Sequence, residues 1–302
     1  MIFSRTRYEG SVYLRPGQVV WLIAEQDGPP VDGGIEPTPE TVFPPPPESL
    51  TKLLGQRGVD WSMIAPLAAR ASLLRFPNVS DRELGQGAQW QAEKVLRMGD
   101  LDPTYDFEPW DVDPLGSRPT VVLGVRSGTM KHWREWLSRL NRPIARFEPA
   151  ISANARGIVA VSRTYPGYQR PLCYLSNDGG STSIVIAQHG VPLTVRSLLP
   201  ATRRDSPSPL SGELGIRAVR ETLLSCEDRF PRLEIEGLVG LGDLDPTWLD
   251  EVSGASHLPL VEAPAPPVPW PTPLHEPNAL ACWPTLLGAV HGFRALTPEA
   301  QS

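Results

Sequence analysis

The residues of this chain best placed to do chemistry lie between Leu172 and Leu199. An apolar run, Leu172 to Leu175, ends in Ser176-Asn177-Asp178-Gly179-Gly180-Ser181-Thr182, and a second apolar run, Ile184 to Ala187, comes directly after. Adjacent glycines let a backbone come close to a ligand, and the amide, carboxylate and hydroxyl groups around them could cradle phosphate oxygens. Gln188-His189-Gly190 then turns the chain back into Val191 to Leu199. The same residues also describe a plain β-hairpin with a glycine-rich tip, and the stretch alone does not decide between the two.

Other chemistries find no support. The chain contains no Gly-x-x-x-x-Gly-Lys-Ser/Thr, His-Glu-x-x-His, Cys-x-x-Cys or Gly-x-Ser-x-Gly motif. His132, His189, His257, His275 and His291 share no spacing with a nucleophile or a carboxylate pair. Asp111-Val112-Asp113 continues the alternation of Tyr105, Phe107 and Trp110 with acidic residues and has no nearby histidine, so it reads as a solvated strand edge and not as metal ligands. Arg5, Arg7, Arg15 and Arg203-Arg204 are too sparse for a nucleic-acid footprint, and a net charge of −6 gives no attraction to polyanions. Cys173, Cys226 and Cys282 are far apart within apolar runs, as buried reduced thiols of a cytoplasmic protein would be. No apolar run has the length of a membrane span, and the N-terminal residues do not form a signal-peptide core. The expectation is a soluble protein whose membrane association, if it has one, comes from a partner.

The elements that must position these residues can be placed from length and pattern. With 302 residues, 40% hydrophobic and 21% charged, the chain can build two ordinary domains. Ser11 to Leu14 and Val19 to Ala24 form a hairpin across Arg15-Pro16-Gly17-Gln18, a turn of type II character. Gly28 to Pro47 has almost no apolar residues and reads as an exposed loop of polyproline character, Pro44 to Pro47 being a spacer. Glu48 to Arg57 reads as a helix, with two short strands after it up to Pro77. Ser80-Asp81-Arg82-Glu83 is a capping box, and the helix it starts carries a stripe of Leu84, Ala88, Ala92 and Val95 with Trp90 beside it. Thr120 to Val125 is a strand, and Ser127 caps a helix with a stripe of Met130, Trp133, Trp136 or Leu137, and Leu140. In the second half a helix spans Leu214 to Cys226 and a strand Leu233 to Leu241. Asp245-Pro246 starts a short helix, Leu258 to Val261 is a strand, and Leu280 to Leu296 is a closing helix.

The order Leu73-Leu74-Arg75-Phe76-Pro77, Ser80-x-x-Glu83-Leu84, Gln89-Trp90-Gln91-Ala92-Glu93-Lys94 resembles the pilus-assembly family PilM. In that family a strand ending in a hydrophobic-Pro pair precedes a helix with an x-Trp-Glu-Ala-Glu segment. Val121 to Arg126 with the helix to Leu140 resembles the insert shared with the division protein FtsA. Leu172 to Leu199 resembles the second phosphate loop of the actin-like ATP-binding fold, and Leu286-Leu287-Gly288-Ala289 the family's C-terminal helix. The pattern through Arg156 is also similar to the cytoplasmic domain of the type II secretion protein GspL. The resemblance implies a mixed α/β, actin-like (ribonuclease H-like), two-lobed fold. Residues 1–168 would form the first lobe, with an inserted α+β subdomain at about 60–147 packed beside it, and residues 169–302 the second.

The resemblance also assigns a nucleotide site to Arg15, Gly17, Asn177, Asp178, Gly179, Gly180, Ser181, Thr182, Gly240 and Gly242, and this chain departs from the pattern in all three parts of it. Arg15 stands where the first phosphate loop carries an aspartate, Asn177 aligns with the aspartate of the second, and Gly240-Leu241-Gly242 replaces an adjacent glycine pair. A guanidinium cannot hold Mg²⁺ or orient water. These departures imply a scaffold without a cofactor, with room left for weak, non-hydrolytic ATP binding. The alternative is an ATPase or phosphotransferase of the same superfamily. As a scaffold, the chain would sit peripherally at the cytoplasmic face of the inner membrane. It would bind the tail of a PilN-like bitopic membrane protein, with the pilus assembly ATPase and a second copy of itself as further candidate partners. The expected docking surface is a strand edge from Ile64 to Phe76, including Leu73 and Arg75, with the Trp90 face of the capped helix.

With the carboxylates replaced, purified protein should show no measurable ATP turnover, and millimolar Mg-ATP should leave its melting temperature unchanged, since any ligand confined to the native state must raise it. A rise of several degrees would restore the enzyme reading.

Overall fold

The computed structural model describes residues 7–26, 28–38, 48–56, 58–99, 102–111, 113, 116–140, 142–178, 182–198, 212–266 and 270–291. The Pro-Gly turn behaves as its residues predict. Gly17 takes φ +80°, the left-handed position of a type II turn, and joins β1 (Tyr8–Arg15) to β2 (Gln18–Glu25). The loop expected from residue 28 onward is in part a strand. β3 (Pro30–Pro37) pairs antiparallel with β2. A sheet edge is held by main-chain hydrogen bonds, which need no apolar side chains, and Gly34 leaves the Trp21 indole room to lie against the backbone. Pro44 to Pro47 lie outside the described residues. After α1 (Glu48–Leu53), β4 (Val59–Ala65) runs parallel to β1.

Between Ala65 and Arg146 the chain leaves this sheet. The excursion contains β5 (Arg70–Pro77), α2 (Asp81–Leu96), β6 (Pro103–Pro109), β7 (Ser117–Arg126) and α3 (Ser127–Leu140). The capping box forms at α2: Ser80 Oγ accepts from Glu83 N at 3.4 Å, and Glu83 Oε2 accepts from Ser80 N at 3.1 Å. The buried stripe is Leu84, Ala88, Ala92 and Leu96; Val95, expected in it, is exposed one step round the helix. On α3 the buried residues are Trp133, Trp136 and Leu140. β8 (Arg146–Pro149) returns parallel to β4, completing the order β3-β2-β1-β4-β8, and leads into α4 (Ala150–Thr164).

The second half repeats the pattern. β9 (Leu172–Asn177), β10 (Thr182–Gln188) and β11 (Val191–Ser197) form an antiparallel meander. After α5 (Gly212–Arg229), β12 (Leu238–Gly242) pairs parallel with β9, α6 (Pro246–Ser256) starts at an Asp245 cap, and β13 (Leu260–Val261) pairs parallel with β12. The expected Leu233 and Leu258 starts of these two strands are irregular chain. A meander and then two parallel strands thus occur twice, which is the mixed α/β, two-sheet, actin-like architecture. The excursion's strands extend the second sheet, giving β13-β12-β9-β10-β11-β5-β7-β6. Inserted between two strands of the first sheet, the excursion is therefore hydrogen-bonded to the second, a pairing that local sequence pattern does not reveal. The closing segment is a 3-10 turn (Thr272–His275), α7 (Pro277–Leu280) and α8 (Trp283–His291), with a break where a single helix was expected; 292–296 lie outside the described residues.

Between the sheets, α4 lies against β10 and β11 while α8 lies against β1 and β2, and the two helices cross. They cross with backbones in contact. A Cβ on Gly157 would collide with the Pro284 carbonyl, and one on Gly288 with the Ala153 carbonyl. Arg156, 2% exposed, spans the crossing: Nε donates to Gly288 O at 2.8 Å, Nη1 to Glu108 Oε1 at 2.5 Å, and Nη2 to Glu148. Arg146 Nη2 donates to Glu108 at 2.8 Å. Burial raises the Glu108 carboxyl, but Arg156 and Arg146 offset it and leave the pKa lowered; at Glu148 burial prevails and the pKa is raised.

An alanine side chain in a helix interior normally stabilises it by about 0.5–1 kcal/mol relative to glycine, and Gly254→Ala on α6, with open space around it, should do so. Gly288→Ala should have the opposite sign, destabilising by roughly 1–3 kcal/mol because the helices must part. Urea unfolding of the two variants measures both; equal signs would mean that the crossing is not close-packed.

Candidate functional site

The end of β1, the end of β9 and the corner between α7 and α8 converge where the two sheets face each other. Alternation along β9 puts Asn177 and Asp178 on opposite sides. Asp178, 1% exposed, faces the opposing sheet and accepts two hydrogen bonds, from Tyr13 OH to Oδ1 and from Thr285 OH to Oδ2, both 2.8 Å. Tyr13 is brought there by β1, Thr285 by the first turn of α8. Burial pushes the Tyr13 phenol well up, and the Asp178 charge adds to the shift, so the phenol stays protonated and donates. Arg15 hydrogen-bonds Cys282, whose thiol burial pushes up to about 12.

A second tier of polar groups supports the first. Asn154 of α4 donates to Ser176 and Thr285 at 3.1 Å each and accepts from Ser183 at 3.0 Å. Each is buried, so the network is satisfied from both lobes and the crossing helices at once.

The expected nucleotide residues divide. Arg15 and Asp178 come together here. Gly17 forms the β1–β2 turn, where its carbonyl accepts from Thr38 N at 2.9 Å. Asn177 faces the other way, donating through Nδ2 to Asp243 O at 2.7 Å. Gly242 belongs to the site, with φ +84° and its Cα against the Asn177 and Ala281 carbonyls. Gly240 does not; its bare Cα accommodates Leu249 of α6. Thr182 is buried at the start of β10 opposite Asn177. Gly179, Gly180 and Ser181 lie outside the described residues. Sequence reasoning missed Tyr13, Asn154 and Thr285, each of which lies in an apolar stretch whose pattern marks it as core. The available signal was a polar residue at a buried phase of a helix or strand.

Mg²⁺ needs carboxylate lone pairs turned toward it. Each oxygen of Asp178 already accepts a protein hydroxyl, and the Arg15 guanidinium lies close by at Cys282, an arrangement that disfavours a metal ion on this carboxylate. Among the described residues no group of three or more His, Cys, Asp or Glu is placed to hold a metal ion.

The expected partner edge is interior to the sheet order. β5 lies between β7, which pairs with its whole length, and β11, which meets it at one residue pair, and Leu73 is 2% exposed. Arg75 pairs with Asp113, donates to Ser117 Oγ at 3.1 Å and Pro192 O at 2.7 Å, and lies over the Phe230 ring at 5.1 Å. It ties the excursion to β11. Asp113, expected to be solvated, is buried because this guanidinium neutralises it; Val112 lies outside the described residues. Trp90 is 57% exposed, with Lys94 Nζ over its ring at 3.2 Å. The edge strand of the sheet is β6. Beside it a groove of about 250 Å³ opens between the excursion and β8, lined by Leu67, Tyr105, Met130, Phe147 and Pro149, with Arg134 at its side.

No protein-family model matches the chain, and no curated protein matches it significantly. Solved structures do. A chain of the PilM-PilN type IV pilus biogenesis complex aligns over 96% of this chain and 99% of its own, with a TM-score of 0.58 and 15% identity. A Bacteroides thetaiotaomicron protein of actin-like ATPase fold aligns over 86% and 93%, with a TM-score of 0.46 and 12% identity. The cytoplasmic domain of EpsL, an inner-membrane component of the Vibrio cholerae type II secretion system, aligns over 97% and 99%, with a TM-score of 0.46 and 14% identity. The first of these shows that this chain shares its fold with a chain of that complex.

Asp178→Ala should lower the unfolding free energy by about 2 kcal/mol or more, because two buried hydroxyls lose their acceptor. Tyr13→Phe should be milder alone and nearly neutral in the Asp178→Ala background. A double-mutant cycle in urea reads the coupling, and strictly additive effects would show that the carboxylate is not held by the phenol.

Proposed function

We propose that this protein is a non-hydrolysing actin-like scaffold of a type IV pilus or related inner-membrane assembly platform. In this reading residues 1–168 and 169–302 form its two lobes, it sits peripherally at the cytoplasmic face, and it holds the tail of a PilN-like membrane protein. The observation that carries the reading is the alignment with a PilM-PilN complex chain over nearly the whole of both chains. The two protein hydroxyls on Asp178, with Arg15 nearby, support the absence of turnover. No helix among the described residues is long and apolar enough to cross a membrane, so in this reading attachment rests on the partner.

The docking surface in this reading is the groove beside β6. An extended tail can add main-chain hydrogen bonds to the free strand edge while its apolar side chains enter the space between Tyr105, Met130 and Phe147. Glu108 on the same strand joins the Arg146, Glu148 and Arg156 ion network, which gives the groove a fixed wall. Trp90, held flat by Lys94 on the outer face of α2, is the competing anchor.

Co-expression with a single-span membrane protein encoded beside this chain, with pull-down as the readout, tests the reading. Met130→Glu should reduce retention at least about tenfold, the effect of burying an unpaired charge, and Trp90→Ala should leave it unchanged. Loss with Trp90→Ala alone would move the docking surface to α2. No retention of any tail by the unaltered protein would remove the scaffold reading.

A further inference from the structure

A second surface, on the opposite side of the excursion, has a different chemistry. β11 and β5 are joined by a single residue pair, Arg196 opposite Ser72, whereas β5 pairs with β7 along its whole length. Where this short ladder ends, a cleft of about 540 Å³ opens between the C-terminal end of α2 and the last turns of α5. Three guanidinium groups line it, from Arg70, Arg196 and Arg229. Arg70 Nη1 caps the Leu96 and Arg97 carbonyls at 2.7 Å each, and Arg196 Nη1 donates to Thr222 Oγ1 at 3.0 Å. These contacts hold the two forks in place, and only Arg196 has a carboxylate beside it. Arg229 is exposed at the end of α5, close enough to Arg75 for the two charges to repel. No carboxylate is among the described lining residues; Glu221 lies beside the cleft, 3.7 Å from Arg196 Nη2, and is shared with Arg217. Val95 and Leu198 supply an apolar wall.

We propose that this cleft binds an extended acidic peptide segment of a partner protein. On a chain whose net charge is −6, two held arginines and a third at the end of α5 around one cleft form a local reversal of sign, and guanidinium forks match carboxylates bidentately. An extended peptide puts alternate side chains on opposite sides, so acidic residues can meet the arginines while the intervening apolar ones meet Val95 and Leu198. Main chain of β5 and β11 beyond their one ladder pair borders the cleft and offers hydrogen bonds to it. No aromatic ring is among the described residues lining the cleft, so a nucleobase would have nothing there to stack on. The site is separate from the groove beside β6 and does not depend on it.

The probe is a fluorescein-labelled hexapeptide of alternating glutamate and leucine, read by anisotropy against its glutamine and leucine counterpart and in competition with pyrophosphate. The acidic peptide should bind, weaken as salt rises, and lose about tenfold or more in affinity with Arg229→Glu. Arg196→Gln should weaken it in the same direction, and Met130→Glu should leave it unchanged, which separates this site from the β6 groove. Melting temperatures of the two arginine variants establish that they fold. Equal binding of the glutamine peptide, or full affinity in folded Arg229→Glu, overturns the proposal. Pyrophosphate binding without peptide binding also overturns it, and makes the cleft a phosphate site.

Discussion

Everything in this molecule is placed by two helices that touch backbone to backbone. At Gly157 and Gly288 no side chain separates α4 from α8, so the distance between the sheets is set by main-chain atoms. That closeness brings Thr285 within reach of Asp178 and Asn154, and lets Arg156 donate across to Gly288 O. Side-chain packing could be exchanged for other packing of equal volume, but a carbonyl against a Cα has no substitute. The polar network between the lobes is therefore a consequence of the crossing.

This arrangement also explains why Asp178, at the end of β9, has an interior role. The β9–β10 connection keeps the residue types of a phosphate cradle, yet Asp178 turns toward Tyr13 and Thr285, hydroxyls of the chain itself. A buried carboxylate needs donors to offset its lost hydration. Protein hydroxyls provide them here, and the result couples β1, β9 and α8 through one acidic group.

Much of this was legible in the sequence, because local rules decided it. The Pro16-Gly17 turn, the Ser80 to Glu83 capping box and the Asp245-Pro246 start each depend on a few neighbouring residues, and each formed as expected. What could not be read depended on distant partners. β3 has a loop's composition and becomes a strand because β2 offers a free edge. Arg75 looks like a surface charge until Asp113, Ser117 and Pro192 surround it. Asp178 stands out by type, but its surroundings were set by Tyr13 and Thr285, which pattern alone files under core.

The one-pair ladder between β11 and β5 has a kinetic meaning. β5, β7 and β6 lie near one another in sequence and can form their meander early, as can β9, β10 and β11. Joining the two requires closing the long intervening chain for little hydrogen-bond return, the kind of non-local contact that slows folding. The seam is thus the long-range junction of one sheet, held by a single ladder pair and by the Arg75 guanidinium that crosses to the Pro192 carbonyl. Losing that guanidinium would leave the junction with little main-chain bonding to hold its two halves in register.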